Sequence, residues 1–157
     1  MEMDIRAYRE TDCHEIADLF HGAVHNIEIS LYSKKQLEAW SPTPPNYEQW
    51  KVRLEVRRPF VAVQSDKVIG FIELESDGHI DCMYVHLDYQ RKGVARNMFS
   101  YLSKEAVYRG INQLNVDASK LAKPFFEKIG FVTTDENIII RNGIELINYK
   151  MTGKPIQ

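Results

Sequence analysis

The sequence predicts a mixed α/β fold, α+β by the strict reading, with a mostly antiparallel central sheet and helices on both faces. Three observations predict it. Helical spacing and strand patterning interleave along the chain instead of falling into separate blocks. Three strand-like runs between Phe60 and Val85 follow one another through short turns. Near the end, Asn142-Gly143 sits between β-rich runs, the strongest short-range hairpin signal.

The elements follow in order. Ile5–Tyr8 reads as a short first strand. Asp12 followed by Glu15 has the capping-box spacing, and Ile16, Phe20, Ala23, Val24 and Ile27 then recur at helical intervals. Ser33 with Gln36 repeats the cap before Leu37 and Trp40. The run Ser41-Pro42-Thr43-Pro44-Pro45 must end that helix, because proline lacks an N–H and restricts the residue before it. Tyr47, Trp50 and Leu54 suggest another helix. Phe60–Gln64, Val68–Leu74 and His79–Val85 are three strands, separated by Ser65-Asp66-Lys67 and Asp77-Gly78. Gly93–Arg109 is an amphipathic helix carrying Val94, Met98 and Leu102, with Gly110 placed to end it. Gln113–Asp117 is a short strand. Leu121 to Ile129 is a further helix, kinked or starting late at Pro124 and closed by Gly130. Ile138–Arg141 and Ile144–Met151 are the arms of the final hairpin.

Composition narrows the function. The 157 residues are 44% hydrophobic and 27% charged, which fits one domain, residues 1–157, with a real core. Net charge is -2 and the pI about 6.2, so the overall field favours neither nucleic acid nor an anionic membrane. No apolar run approaches the ~18 residues of a membrane span. The acidic start, Met1-Glu2-Met3-Asp4, has no secretory pattern. Two cysteines, Cys13 and Cys82, make neither a disulfide framework nor a zinc site. The expectation is a cytoplasmic protein with two buried thiols and no metal.

The informative stretch runs from Met83 to Arg96. A strand ends, a short loop follows, and a helix begins at Gly93 with small neighbours. Unpaired N–H groups and the positive end of the helix dipole suit a phosphate there, and Arg91, Lys92 and Arg96 add charge. The same pattern also describes an ordinary helix start with solvated basic residues. The P-loop and GxGxxG patterns are both absent, which disfavours a nucleoside triphosphate or a dinucleotide.

Gln90-Arg91-Lys92-Gly93-Val94-Ala95 resembles the Q/R-x-x-G-x-G/A signature of the GNAT superfamily of acyl-CoA-dependent N-acetyltransferases. Ile80 to His86 looks like that family's central strand. Leu114 to Ser119, then Ala122, Phe125-Phe126 and Gly130-Phe131, resembles its second conserved block. The element order agrees over nearly the whole chain. The segments Tyr32 to Trp40, Val116 to Ser119 and Lys123 to Glu127 look like a poorly characterised bacterial branch.

The resemblance implies acetyl-CoA as co-substrate, with no metal. Its pyrophosphate would sit on backbone amides of Gln90, Arg91, Lys92, Gly93, Val94, Ala95 and Arg96. Its pantetheine arm would pair with the strand at Met83, Tyr84 and Val85, where that strand splays from the one ending at Asp117, and would pass Phe126. The Val85 N–H would hold the thioester oxyanion.

An amine attacking a thioester must first lose a proton, so a base is sought. Simple strand alternation puts His79, Asp81, Met83 and Val85 on one face, and Cys82 on the other as core. By resemblance, His79 or Asp81 is the base or proton relay. An unperturbed imidazole, pKa ~6.5, suits the task better than a carboxylate at ~3.9. The bland alternative makes Asp81 a loop or strand tie and His79 a strand-edge residue.

Many family members carry tyrosine where Phe126 stands, to protonate the leaving thiolate; Tyr32, Tyr84 and Tyr108 are the substitutes sequence offers. Tyr32, Trp40 and Trp50 are either helix-face core or the wall of an acceptor pocket. Glu15, Glu38 and Glu55 are expected to be solvated. The expected activity is acetyl transfer to a primary amine, small-molecule or peptide, by direct attack in a ternary complex, in a monomer or homodimer. The alternatives are a non-catalytic acyl-CoA-binding regulatory module and an unrelated anion-binding domain.

Overall fold

In the computed structural model, which describes residues 2–156, β1 (Asp4–Ala7) leads into helices α1 (Cys13–His25), α2 (Lys34–Trp40) and α3 (Tyr47–Arg57). A meander follows: β2 (Phe60–Gln64), β3 (Lys67–Leu74) and β4 (His79–Val85). Then come α4 (Val94–Tyr108), β5 (Leu114–Ala118), α5 (Lys123–Lys128), β6 (Val132–Arg141) and β7 (Ile144–Gly153). The strands form one seven-stranded sheet in the order β1-β2-β3-β4-β5-β7-β6. Among the described residues, only β4 and β5 pair in parallel; the other pairings are antiparallel. The final hairpin docks through its second strand, which leaves β6 at the edge.

Local chemistry explains most of these elements. Asn142 and Gly143 have φ of 49° and 77°, the two positive values of a type I′ turn. Ser33 and Gln36 cap α2 reciprocally, at 2.8 and 3.1 Å. Pro124 falls in the first turn of α5, so that helix starts late, at Lys123, where a missing N–H costs nothing.

The first cap differs from expectation. Asp12 does not cap through Glu15. It accepts from the Arg9 amide (2.8 Å) and pairs with both terminal nitrogens of Arg6 (2.8 and 2.9 Å). Burial pushes that carboxyl up, but Arg6 and the Arg9 amide outweigh it and hold it below its ordinary value. Glu15 instead accepts from the Val68 amide at 3.0 Å, Glu38 takes the Thr43 amide and hydroxyl, and Glu55 lies 3.7 Å from Arg58; all three glutamates are exposed, as expected.

Two apolar layers flank the sheet. One joins Ile16 and Phe20 of α1, Leu37 of α2 and Leu54 of α3 to Phe71 and Cys82. The other joins Val94, Met98 and Leu102 of α4 and Phe126 of α5 to Ile69, Ile72 and Ile80. Gly70 sets the close approach of α4: a Cβ there would lie 2.9 Å from the Met98 sulfur.

Two irregularities in β4 shape the site. It pairs with β5 only at His79–Asn115 and Ile80–Val116, and beyond them the strands part. It also carries a bulge. From Ile72–Met83 to Leu74–Ile80, β3 advances two residues while β4 advances three. Asp81 and Cys82 therefore both oppose Glu73. The simple alternation expected from sequence fails here: Met83 and Val85 pack in the α4 layer, whereas Cys82 and Tyr84 pack in the α1–α3 layer.

Candidate functional site

The parting of β4 and β5 opens a cleft of about 1590 Å³. Its first half lies against the start of α4. His86 donates to Ile69 O (2.8 Å), so its alternate neighbours Met83 and Val85 turn their backbone groups toward the gap. Gln90 ties the following loop to the strand end through Val85 O (3.3 Å). Arg91 and Gly93 are both left-handed, φ 61° and 84°. Alternating left- and right-handed residues aim successive amides into one concavity, and this one continues into the free first-turn amides of Val94, Ala95 and Arg96. A Cβ on Gly93 would meet no atom within 4 Å, so the space before that turn is open. This donor set fits a diphosphate.

Most of the residues implied for the cofactor line this half: Met83, Val85, Gln90, Arg91, Gly93, Val94, Ala95 and Arg96. Three differ. Lys92 is not among the described lining residues; its ammonium lies over the Tyr89 ring, 5.6 Å from the centroid. Tyr84 lines the cleft, but strand alternation sends its side chain to the opposite sheet face from Met83. Asp117 shares that opposite face, 3.9 Å from His79 Nε2. Phe126 is 1% exposed, packed edge-on against Phe99 and Phe125, so it is inner wall and core together.

The second half is walled by aromatics. Phe20 touches Trp50 and Tyr84 (centroids 4.9 and 4.6 Å), and Trp40 lies edge-on to Tyr84 at 6.5 Å. Trp40 and Trp50 are half-buried, so both readings of these residues apply: they pack on the core and face the cleft. Pro42, Pro44 and Pro45 form the lip. Behind the lip, Ser41 Oγ meets His21 Nδ1 at 2.7 Å, and its carbonyl meets His25 Nε2 at 2.8 Å.

The floor carries a charge network centred on Arg53 of α3. One terminal nitrogen reaches Glu73 (2.7 Å), Asp81 Oδ2 (2.7 Å) and Cys82 Sγ (3.2 Å). Arg57 bonds Glu75 and lies 3.6 Å from Asp81. Glu73 is 1% exposed, and burial raises its carboxyl pKa against the pull of Arg53. Burial also pushes the Cys82 thiol well up, so it is no ready nucleophile. Cys82 is core as expected, but it shares a face with Asp81 rather than opposing it. Sequence gave no role to Arg53; the available signal was Glu73, a carboxylate inside the apolar strand Ile69 to Leu74.

His79 and Asp81 do come together, with Nε2 3.9 Å from Oδ1. Asp81 lines the cleft; His79 is not among the described lining residues. Its Nδ1 meets Asn115 Oδ1 at 2.5 Å, which makes Nδ1 the donor and turns Nε2 toward Asp81, Asp117 and Glu75 (4.0 Å). Two sets of ligand atoms lie within 4.8 Å of one another, Glu73/Asp81/Cys82 and Glu75/His79/Asp81. The Arg53 guanidinium already fills the first. Of the candidate hydroxyls, Tyr32 donates to Ile147 O (2.9 Å) and accepts from the Lys120 amide (3.0 Å), a structural tie. Tyr108 is 87% exposed on the last turn of α4. Tyr84 lines the cleft, as Tyr32 does, but without Tyr32's two hydroxyl ties to the backbone, and burial pushes its phenol pKa up.

A mixed sheet parted at its parallel β4–β5 pairing, with an anion cradle at the adjoining helix start, defines an acyl-CoA-type transferase scaffold. The comparisons agree. Residues 28–153 match the acetyltransferase (GNAT) domain model, and the chain belongs to that family of N-acetyltransferases. It is 32% identical over 153 residues to YafP of Escherichia coli K12, an uncharacterised N-acetyltransferase, covering 98% of this chain and 97% of that one. It is similar to the crystal structure of a GCN5-related N-acetyltransferase from Rhodopseudomonas palustris, with a TM-score of 0.90, 32% identity and 98% of each chain covered. It also resembles the PaiA N-acetyltransferase of Thermoplasma acidophilum, solved with coenzyme A, with a TM-score of 0.77, 19% identity and 98% and 99% coverage. No helix among the described residues is long and apolar enough to cross a membrane.

Proposed function

We propose that the chain transfers an acetyl group from acetyl-CoA directly to a primary amine within a ternary complex. The observation that carries this reading is the cleft itself. The backbone groups of Met83 and the N–H of Val85 face a gap that runs from the Arg91–Arg96 amides to the aromatic wall, while Val85 O is taken by Gln90. An amide-bearing pantetheine arm satisfies such groups, and the coenzyme A in the PaiA structure supports the assignment.

The amine nitrogen attacks the carbonyl carbon as the C=O electrons move to oxygen, where the Val85 N–H holds the charge. Collapse breaks the C–S bond and releases thiolate. The amine proton goes to Asp81, and the adjoining His79 passes it toward Glu75 and solvent. Such a sink matters because deprotonating an amine of pKa ~10.4 at pH 7 costs about 4–5 kcal/mol. Phe126 has no hydroxyl to donate, so the thiolate, a fair leaving group with pKa ~8.5, takes its proton from solvent.

The test is thiol release from acetyl-CoA across a panel of primary amines, with both substrates varied. Intersecting double-reciprocal lines are expected; parallel lines refute direct attack. CoA binding without thiol release on any amine supports a regulatory module instead, a reading the buried Phe126 favours.

A further inference from the structure

We propose that the acceptor is a dipolar amine, carrying a carboxylate at the end remote from its reacting nitrogen and a flat apolar body between the two. This rests on the acetyl-transfer reading and names the acceptor that site takes.

The cleft's acceptor half is electrically two-ended. Its carboxylates, Asp81 and Asp117, both sit at the β4–β5 gap where the amine must react. Arg53, at that same end, is neutralised by Glu73 and Asp81. At the other end stands Arg141, on the face of β6 that also carries Ile139, and both line the cleft. Among the described residues no carboxylate oxygen lies within 4.0 Å of the Arg141 guanidinium. Its positive charge is near enough to act on the Tyr84 hydroxyl, so it overlooks the aromatic wall.

Three ties fix the hairpin that presents it. Asn142 donates to Ala39 O (3.0 Å), Gln36 to Glu145 O (3.0 Å) and Tyr32 to Ile147 O (2.9 Å). An unmatched guanidinium on a pinned rim is a receptor for a carboxylate, which it can take in a two-pronged hydrogen bond. Between the two ends, the edges of Trp40, Tyr84 and Phe20 favour a flat apolar body.

The experiment compares 4-(aminomethyl)benzoate, 4-(aminomethyl)benzamide and benzylamine, which share amine and ring and differ in the anion. Thiol release is measured with wild type, Arg141→Gln and Arg141→Lys, each checked for folding by circular dichroism. The benzoate should lead both neutral amines by roughly tenfold in kcat/KM, mostly through KM, as one partly exposed charge-assisted contact provides. Arg141→Gln should bring the ratio close to one, and Arg141→Lys should keep part of it. Equal use of the three by wild type overturns the proposal, as does a preference that survives Arg141→Gln. If none of the three reacts while other amines do, the dipolar class is wrong and acetyl transfer stands. Absence of thiol release with every amine overturns both.

Discussion

Arg53 holds the one fully buried carboxylate of the site, and removing it should cost more stability than any surface pair can. Glu73 is 1% exposed and Arg53 is 33% exposed. In Arg53→Met the Glu73 carboxylate loses its cation and its 2.7 Å hydrogen bond, while its second oxygen already has no partner. Breaking a buried pair by deleting one member costs ~3–5 kcal/mol, and water reaching the Arg53 side argues for the low end, about 3 kcal/mol. For a chain of this size that is a drop of roughly 6–12 °C in Tm. Glu73→Gln in the Arg53→Met background should recover much of the loss, because a neutral amide needs no counter-ion. Urea unfolding followed by circular dichroism measures all three variants. A cost below ~1 kcal/mol for Arg53→Met, or no recovery in the double variant, refutes the reasoning. The pH dependence gives an independent check. With Glu73 raised in the native state, the native chain binds more protons than the unfolded one above the ordinary carboxylate pKa of ~4.3. Its contribution is therefore full on the acid side and falls as pH rises through the raised value. The difference between wild type and Glu73→Gln isolates that slope, whose sign opposes ordinary acid unfolding.

Three further outcomes follow from the site. Gly93→Glu should abolish CoA binding by calorimetry, whereas Gly93→Asn, a residue that tolerates the left-handed φ of 84°, should fold nearly as wild type, since a Cβ there meets nothing. Asp81→Asn should lower kcat/KM by roughly 10²–10³-fold, while His79→Ala, which lies behind Asp81, should cost less than about tenfold; the reverse order would make His79 the direct base. His21 and His86 are both held below the ordinary imidazole value, His21 by burial and His25, His86 by burial and Lys67. The unfolded state then binds protons first as pH falls below ~6.5, so stability should decline there, and His21→Asn should flatten the decline in a pH series of urea midpoints.

Where one short segment dictates its own backbone, sequence was sufficient. Asn142-Gly143 demands two positive φ values, Ser33 and Gln36 cap each other within one turn, and Gly93 starts a helix whose apolar stripe is regular. The misses arise where partners are distant. Asp12 and Glu15 have capping-box spacing, but Arg6 and the Val68 amide compete for them and win. Nothing in Ile80 to Val85 marks a bulge, since no glycine or proline interrupts it, and its position depends on pairing with Glu73. Arg53 lies on a largely polar helix, and only its meeting with a strand twenty residues on gives it a role. The insertion of β7 between β5 and β6 is equally non-local: Asn-Gly fixes the turn but not which arm docks.

The bulge and the parting of β4 work as a pair. A strand with unbroken alternation would turn Asp81, Met83 and Val85 to one face, leaving the titratable group in the layer packed by α4. The extra residue places Asp81 on the face of Arg53 and the aromatic wall while Met83 and Val85 stay against α4. The parting then frees the backbone groups of Met83 and the N–H of Val85 at that same level. Donor-side backbone and acceptor-side carboxylate thus come from one strand within five residues, held by the sheet rather than by a mobile loop. Holding two bound reactants in line this way is worth several kcal/mol of barrier before any base acts, up to roughly 7–11 in well-oriented systems. Turnover that survives loss of both Asp81 and His79 would therefore locate catalysis in that strand geometry.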